Sequence, residues 1–155
     1  MSVDVGSKAP DFTLMNQDRQ PVTLSALKGA PVVLAFFPAA FSSVCQQELC
    51  TFRDSMGQLG AANAQVFGVS TDTFFALKAF QDQQHLNFSL LSDYNKEVIR
   101  AYGVFNEDMI GLKGIAKRSV FVIDKDGTVQ YREVLEDARN EPNYQQVLST
   151  VASLA

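Results

Sequence analysis

The chain has 155 residues, 46% of them hydrophobic and 19% charged, with nine glycines and five prolines. That length corresponds to about one domain, able to bury roughly 70% of its unfolded surface, which excludes disorder, collagen-like repeats and a disulfide-stapled mini-domain. Thirteen basic residues against seventeen acidic ones leave a net charge of −4, and no Lys/Arg cluster offers the phosphate neutralisation that nucleic-acid binding needs.

No internal repeat, low-complexity tract or linker interrupts the chain, so residues 1–155 read as one domain. The longest apolar run, Pro31 to Phe41, is broken at Pro38 and falls far short of the ~20 residues of a membrane helix. The N-terminus has neither a basic start nor an apolar stretch, so no signal peptide is expected and the cytoplasm is the expected compartment. A thiol there is reactive or simply buried rather than part of a permanent disulfide.

Phe12-Thr-Leu-Met and Pro21-Val-Thr-Leu alternate around Asn16-Gln-Asp-Arg, which predicts an opening β-hairpin. Ser25 to Gly29 reads as a short turn of helix closed by glycine. Pro31 to Phe37 is a continuous β-prone run, the pattern of a central strand covered on both faces. Ser42 to about Leu59 predicts a helix with a buried stripe of Leu49, Phe52, Met56 and Leu59. Gln65 to Ser70 is a strand, Thr73 to about Gln84 a helix carrying Phe74, Leu77 and Phe80, and Phe88 to Leu91 a brief strand. Asn95 to Tyr102 is a short helix ended by Gly103. Ser119 to Asp124 is a strand that turns at Lys125-Asp-Gly127 into its hairpin partner, Thr128 to Leu135. Asn143 to Leu154 closes the chain as a helix. Strands alternating with helices, then a hairpin, predict an α/β sandwich with a mixed central sheet flanked by helices.

Both cysteines, Cys45 and Cys50, fall in the first helix after the central strand. If Ser42 caps that helix, Cys45 lies in its first turn, where unpaired N–H groups and the positive dipole end favour a thiolate. An ordinary cysteine is only about 3% ionised at pH 7, and a dipole end contributes about 1 kcal/mol, so a neighbouring cation should help. A lone cysteine in an apolar chain is otherwise a small buried hydrophobe.

Pro38-Ala-Ala-Phe-Ser42-Ser-Val-Cys45 resembles the Pro-x-x-x-Thr/Ser-x-x-Cys motif of the peroxiredoxins, thiol peroxidases on a thioredoxin-like fold. Arg118, leading into Ser119 to Gly127, is similar to the family's active-site arginine at the start of a strand. Gly6 to Leu14 and Leu91-Ser-Asp93 also look familial, so the resemblance covers nearly the whole chain. It implies Cys45 as the peroxidatic nucleophile, Arg118 as its cation, Ser42 as a hydrogen-bond donor to peroxide and Pro38 as a shield against water. Backbone N–H groups near Val44 and Cys45 would join Arg118 and Ser42 in meeting charge that develops along the O–O bond. The family's usual threonine is a serine at position 42, which keeps the hydroxyl and loses the methyl that restricts its rotamer. Glu48 matches a family acid that orients the arginine, the bland alternative being an ordinary solvated helix acid.

The product would be a sulfenic acid on Cys45, which a second thiol converts to a disulfide. Cys50 is the candidate resolver, its alternative a core thiol that never reacts. Five residues of ideal helix place the two side chains about 140° apart with Cα atoms roughly 8–9 Å from each other, beyond the ~7 Å limit for a disulfide. Internal resolution therefore requires the first turns to unwind. The Cys-x4-Cys spacing resembles the bacterioferritin-comigratory (Q-type) peroxiredoxins. The residues around Cys45, and Gly114 to Arg118, resemble the alkyl hydroperoxide reductase E type, often one-cysteine enzymes.

Thioredoxin or a similar dithiol protein is the implied reductant, with hydrogen peroxide, organic hydroperoxides and peroxynitrite as substrates and no bound cofactor. The state would be a monomer or homodimer. Phe41, Phe74, Phe75 and Phe80 read as core or edge aromatics, a share of them lining the pocket or a dimer face. Two thiols and one distant histidine, His85, do not make a metal site. A redox-sensing interaction protein or holdase switched by oxidation of Cys45 is the alternative from another class.

Overall fold

The computed structural model describes residues 3–27 and 29–154. Strands β1 (Thr13–Asn16) and β2 (Pro21–Thr23) form the opening hairpin, with Thr13 opposite Thr23. A 3₁₀ turn over Leu24–Leu27 follows, one residue earlier than the expected helical turn, whose Lys28 lies outside the described residues. Next come β3 (Val32–Phe36), α1 (Ser43–Asp54), α2 (Met56–Ala61), β4 (Gln65–Ser70), α3 (Phe74–Gln84), β5 (Ser89–Ser92) and α4 (Glu97–Ala101). Two short strands, β6 (Phe105–Asn106) and β7 (Ile115–Ala116), precede β8 (Ser119–Ile123), β9 (Val129–Val134) and α5 (Tyr144–Ser153).

Seven strands form one mixed sheet in the order β2-β1-β5-β4-β3-β8-β9. β3, β4 and β5 run parallel, while β8 lies antiparallel to β3. The unbroken apolar run predicted for a doubly covered strand is the middle of this sheet. Val33, Ala35 and Phe37 face a core shared with Leu49 and Phe52 of α1, Phe80 of α3 and Val147 of α5. Val32, Leu34 and Phe36 face a second core with Ile99, Tyr102 and Phe121. Gly68 of β4 is fixed by packing, since a Cβ there would stand 2.8 Å from Leu90 Cδ2 and 3.2 Å from Phe37 Cε1.

The helix expected over Ser42–Leu59 is two helices, broken at Ser55. Its N–H donates to the carbonyls of both Thr51 and Phe52, and its Oγ donates to Thr51 at 2.9 Å. A serine hydroxyl competing for backbone acceptors favours such a break, and Gly57 and Gly60 beyond it are poor helix formers. The apolar stripe runs on across the break, with Leu49, Phe52 and Leu59 all buried. Among the described residues, no helix is long and apolar enough to cross a membrane.

Register explains where the chemistry-bearing segments meet. Phe36, the last residue of β3, pairs with Ser119, the first of β8, and Ser119 pairs with Val134, the last of β9. The loop after β3, the residue before β8 and the segment after β9 therefore converge at one end of the sheet. This is the end where parallel strands finish, the usual ligand-binding edge of such sheets.

Candidate active site

Pro38 is buried where β3 stops. The loop beyond it is pinned from the far side by Asp72, whose Oδ2 accepts from the Ala40 N–H at 2.8 Å and from Ser70 Oγ at 2.7 Å. Phe41 then adopts a left-handed conformation, φ 70°, which bulky residues avoid. Its ring packs on Phe80, centroids 5.1 Å apart, and 47% of the residue stays exposed. Of the other three aromatics, Phe80 is core, Phe74 is half-buried and Phe75 is exposed.

Ser42 is the N-cap residue of α1 by backbone geometry, but its side chain does not cap the helix. Its Oγ instead donates to the Ala39 carbonyl at 3.0 Å. The expected side-chain cap is thus absent, and the hydroxyl hydrogen is engaged until it rotates. The first-turn N–H groups, Val44 and Cys45 among them, keep the anion-binding capacity of a helix start. Cys45 is the third residue of α1 and fully buried.

Arg118, one residue ahead of β8, reaches this turn from across the sheet end. Its Nη1 donates to Cys45 Sγ at 3.3 Å and to Glu48 Oε1 at 2.7 Å. Its Nε and Nη2 donate to the Ala138 carbonyl at 3.2 and 2.8 Å, which fixes the plane of the guanidinium. Arg118 and Glu48 are both buried, so Glu48 is not a solvated helix acid. It sits three residues past Cys45, on the same helix face.

Burial pushes the Glu48 carboxyl up to about 7, opposed by Arg118 and reinforced by Glu141 and Glu133. Its Oε2 has no hydrogen-bond partner among the described residues, which leaves that side of the carboxylate unsolvated. For Arg118, burial opposes the charge, but Glu48 and Cys45 outweigh it and the guanidinium is held above its ordinary value.

Cys50 lies further along the same uninterrupted helix, half-buried, and neither cysteine is in a disulfide. Its Sγ donates to Gln84 Oε1 at 3.4 Å, while Arg53 Nη1 donates to the Gln84 backbone carbonyl at 2.6 Å. Cys50 therefore points at the end of α3, and the structure does not bring it together with Cys45.

The site opens into a cleft. Pro38, Ser42, Val44 and Arg118 line it, with residues 108–110 on one rim and 136–139 on the other. Sequence reasoning missed both rims and Asp72. Ala138 acts through its backbone, which leaves no side-chain signal, and Asp72 is one carboxylate among many in the chain. His85 caps α3 in a left-handed conformation and does not line the cleft. Among the described residues, no cluster of three or more His, Cys, Asp or Glu could hold a metal ion.

Residues 5–132 match the AhpC/TSA family. The chain is 42% identical over 129 residues to chloroplastic peroxiredoxin Q of rice, covering 83% of this chain and 58% of the relative. It thus spans a little over half the length of that plant protein. Peroxidoxin BcpB of Mycobacterium tuberculosis superposes with a TM-score of 0.88 at 31% identity, covering 99% of both chains. A peroxiredoxin-like protein of Aquifex aeolicus gives a TM-score of 0.92 at 31% identity, covering 100% of this chain and 90% of the other. The mixed sheet with its flanking helices is the thioredoxin-like architecture of these neighbours.

Proposed function

Since the chain belongs to the AhpC/TSA family, we propose that it is a thiol-dependent peroxidase in which Cys45 attacks hydrogen peroxide or an organic hydroperoxide. The observation that carries this reading is the 3.3 Å hydrogen bond from Arg118 Nη1 to a cysteine in the first turn of α1. Guanidinium and helix start both favour negative charge on that sulfur.

In the reaction the sulfur of Cys45 bonds to the terminal peroxide oxygen as the O–O bond breaks. The electron pair leaves on the second oxygen, which takes a proton to become water or an alcohol, and Cys45 becomes a sulfenic acid. Arg118 and the N–H groups of Val44 and Cys45 are fixed donors for the charge along the O–O bond. Ser42 Oγ joins them by turning from Ala39. Pro38 keeps water from the buried sulfur.

Cys50 then attacks the sulfenic sulfur: the S–S bond forms, the S–O bond breaks and the hydroxyl leaves as water. Both thiols lie on one intact helix, so the first turns of α1 must unwind before this step. The rice relative named peroxiredoxin Q favours this two-cysteine cycle over the one-cysteine type. Thioredoxin or a similar dithiol protein closes the cycle, peroxynitrite is a further substrate, and the protein works as one cytoplasmic domain, residues 1–155.

Steady-state peroxide consumption with thioredoxin and its reductase tests the reading. Wild type turns over many times, Cys45→Ser has no activity, and Arg118→Ala loses at least a hundredfold in the first step, as for removal of a fixed donor. Undiminished consumption by Cys45→Ser would refute the assignment, and a single slow oxidation without turnover would favour the sensor.

A further inference from the structure

We propose that Gln84 is a positioning residue that holds Cys50 out of the reaction and sets how fast the Cys45 sulfenic acid is resolved. The inference rests on the reading of Cys50 as the resolving thiol and adds the element that restrains it.

Gln84 is the last residue of α3 and grips α1 at two points. Its backbone carbonyl accepts from Arg53 Nη1 at 2.6 Å, and its side-chain Oε1 accepts from Cys50 Sγ at 3.4 Å. Asn87, just beyond, adds a third tie by donating Nδ2 to the Arg53 carbonyl at 3.4 Å. The C-terminal half of α1 is thus anchored to the end of α3, while its first two turns are held by the Arg118–Cys45 and Arg118–Glu48 contacts.

The two grips differ in what they do to the chemistry. The Arg53 contact anchors backbone that need not move. The Cys50 contact must break, because its sulfur points at Gln84 while Cys45 lies about 7.5 Å back along the axis and about 140° around the helix. Resolution forms the Cys45–Cys50 disulfide and releases the sulfenic hydroxyl as water with the Cys50 proton. Until Cys50 leaves Gln84, the sulfenic acid waits, and a second peroxide can take it to the sulfinic acid. The Gln84 side chain therefore biases the partition between turnover and overoxidation.

The chain has no tryptophan, so the test is rapid mixing with hydrogen peroxide, acid quench and mass spectrometry of both cysteines. Loss of one weak hydrogen bond in Gln84→Ala should speed disulfide formation about two- to tenfold. Formation of the Cys45 sulfenic acid should keep its wild-type rate, and the peroxide dose that gives half sulfinic acid should rise by the same factor as resolution. Gln84→Glu offers the S–H a charged acceptor and should slow resolution. Both variants keep the backbone carbonyl that binds Arg53. Resolution in Gln84→Ala at or below the wild-type rate, or a proportional change in both steps, overturns the proposal. If wild type forms no Cys45–Cys50 disulfide, the resolver reading fails first, visibly and before any variant is made, and the role of Gln84 falls with it.

Discussion

Arg118 divides one positive charge between two acids, Cys45 and Glu48, on one face of α1, and that sharing leaves a mark on stability. The Glu48 carboxyl is pushed from 4.5 up to about 7, burial being the largest cause. Between those values the native state keeps a proton that the unfolded chain has released. The stabilising contribution is full below pH 4.5 and is lost as pH rises through 7, at up to ~1.4 kcal/mol per pH unit. Over the whole interval this is about 3 kcal/mol. Denaturant unfolding at several pH values should show wild type losing that much relative to Glu48→Gln, which has no proton to release. Parallel pH curves for the two proteins would contradict it.

The helix starts of α1 and α3, each with a hydroxyl at the N-cap, behave differently. Thr73 Oγ1 accepts from the Ala76 N–H at the start of α3, so Thr73→Ala should cost about 1 kcal/mol of stability. Ser42 caps nothing, so Ser42→Ala should cost less than half of that and act on the peroxide reaction instead; equal thermal shifts would contradict this. In β4, Gly68→Ala should cost about 1–3 kcal/mol through overpacking against Leu90 and Phe37, and an unchanged unfolding midpoint would oppose it. Elements whose periodicity and punctuation agree were legible in the sequence: β3 between Pro31 and Pro38, β4, and α3 and α5 behind Thr73 and Asn143. The Ser55 break was not, because an apolar stripe keeps its spacing across one turn that leaves the helix. The β6–β7 pair was missed because strands of two residues carry no period.

At the scale of the whole molecule, antiparallel pairing of β3 with β8 converts residues 73 apart in sequence into partners, Arg118 with Cys45. The helix position pointed to Cys45 and the family resemblance to Arg118, and the register is what puts them in contact. The roles of Asp72 and the Ala138 carbonyl were illegible because each is set by where a distant loop arrives. The same topology fixes the cost of the proposed cycle: α1 carries both thiols and also packs Leu49 and Phe52 into the core. Oxidised protein should therefore show less helix by far-ultraviolet circular dichroism than reduced protein, and a lower melting temperature. Identical spectra and melts for the two forms would mean that α1 does not unwind.

The most direct measurement is the rate at which hydrogen peroxide oxidises Cys45 in the Cys50→Ser protein, read by quenched mass spectrometry beside free cysteine under the same conditions. Oxidation of Cys45 to its sulfenic acid orders of magnitude faster than free cysteine, with most of the advantage lost in Arg118→Ala, is the expected result. A rate no greater than that of free cysteine, or the same rate with and without Arg118, would contradict the assignment.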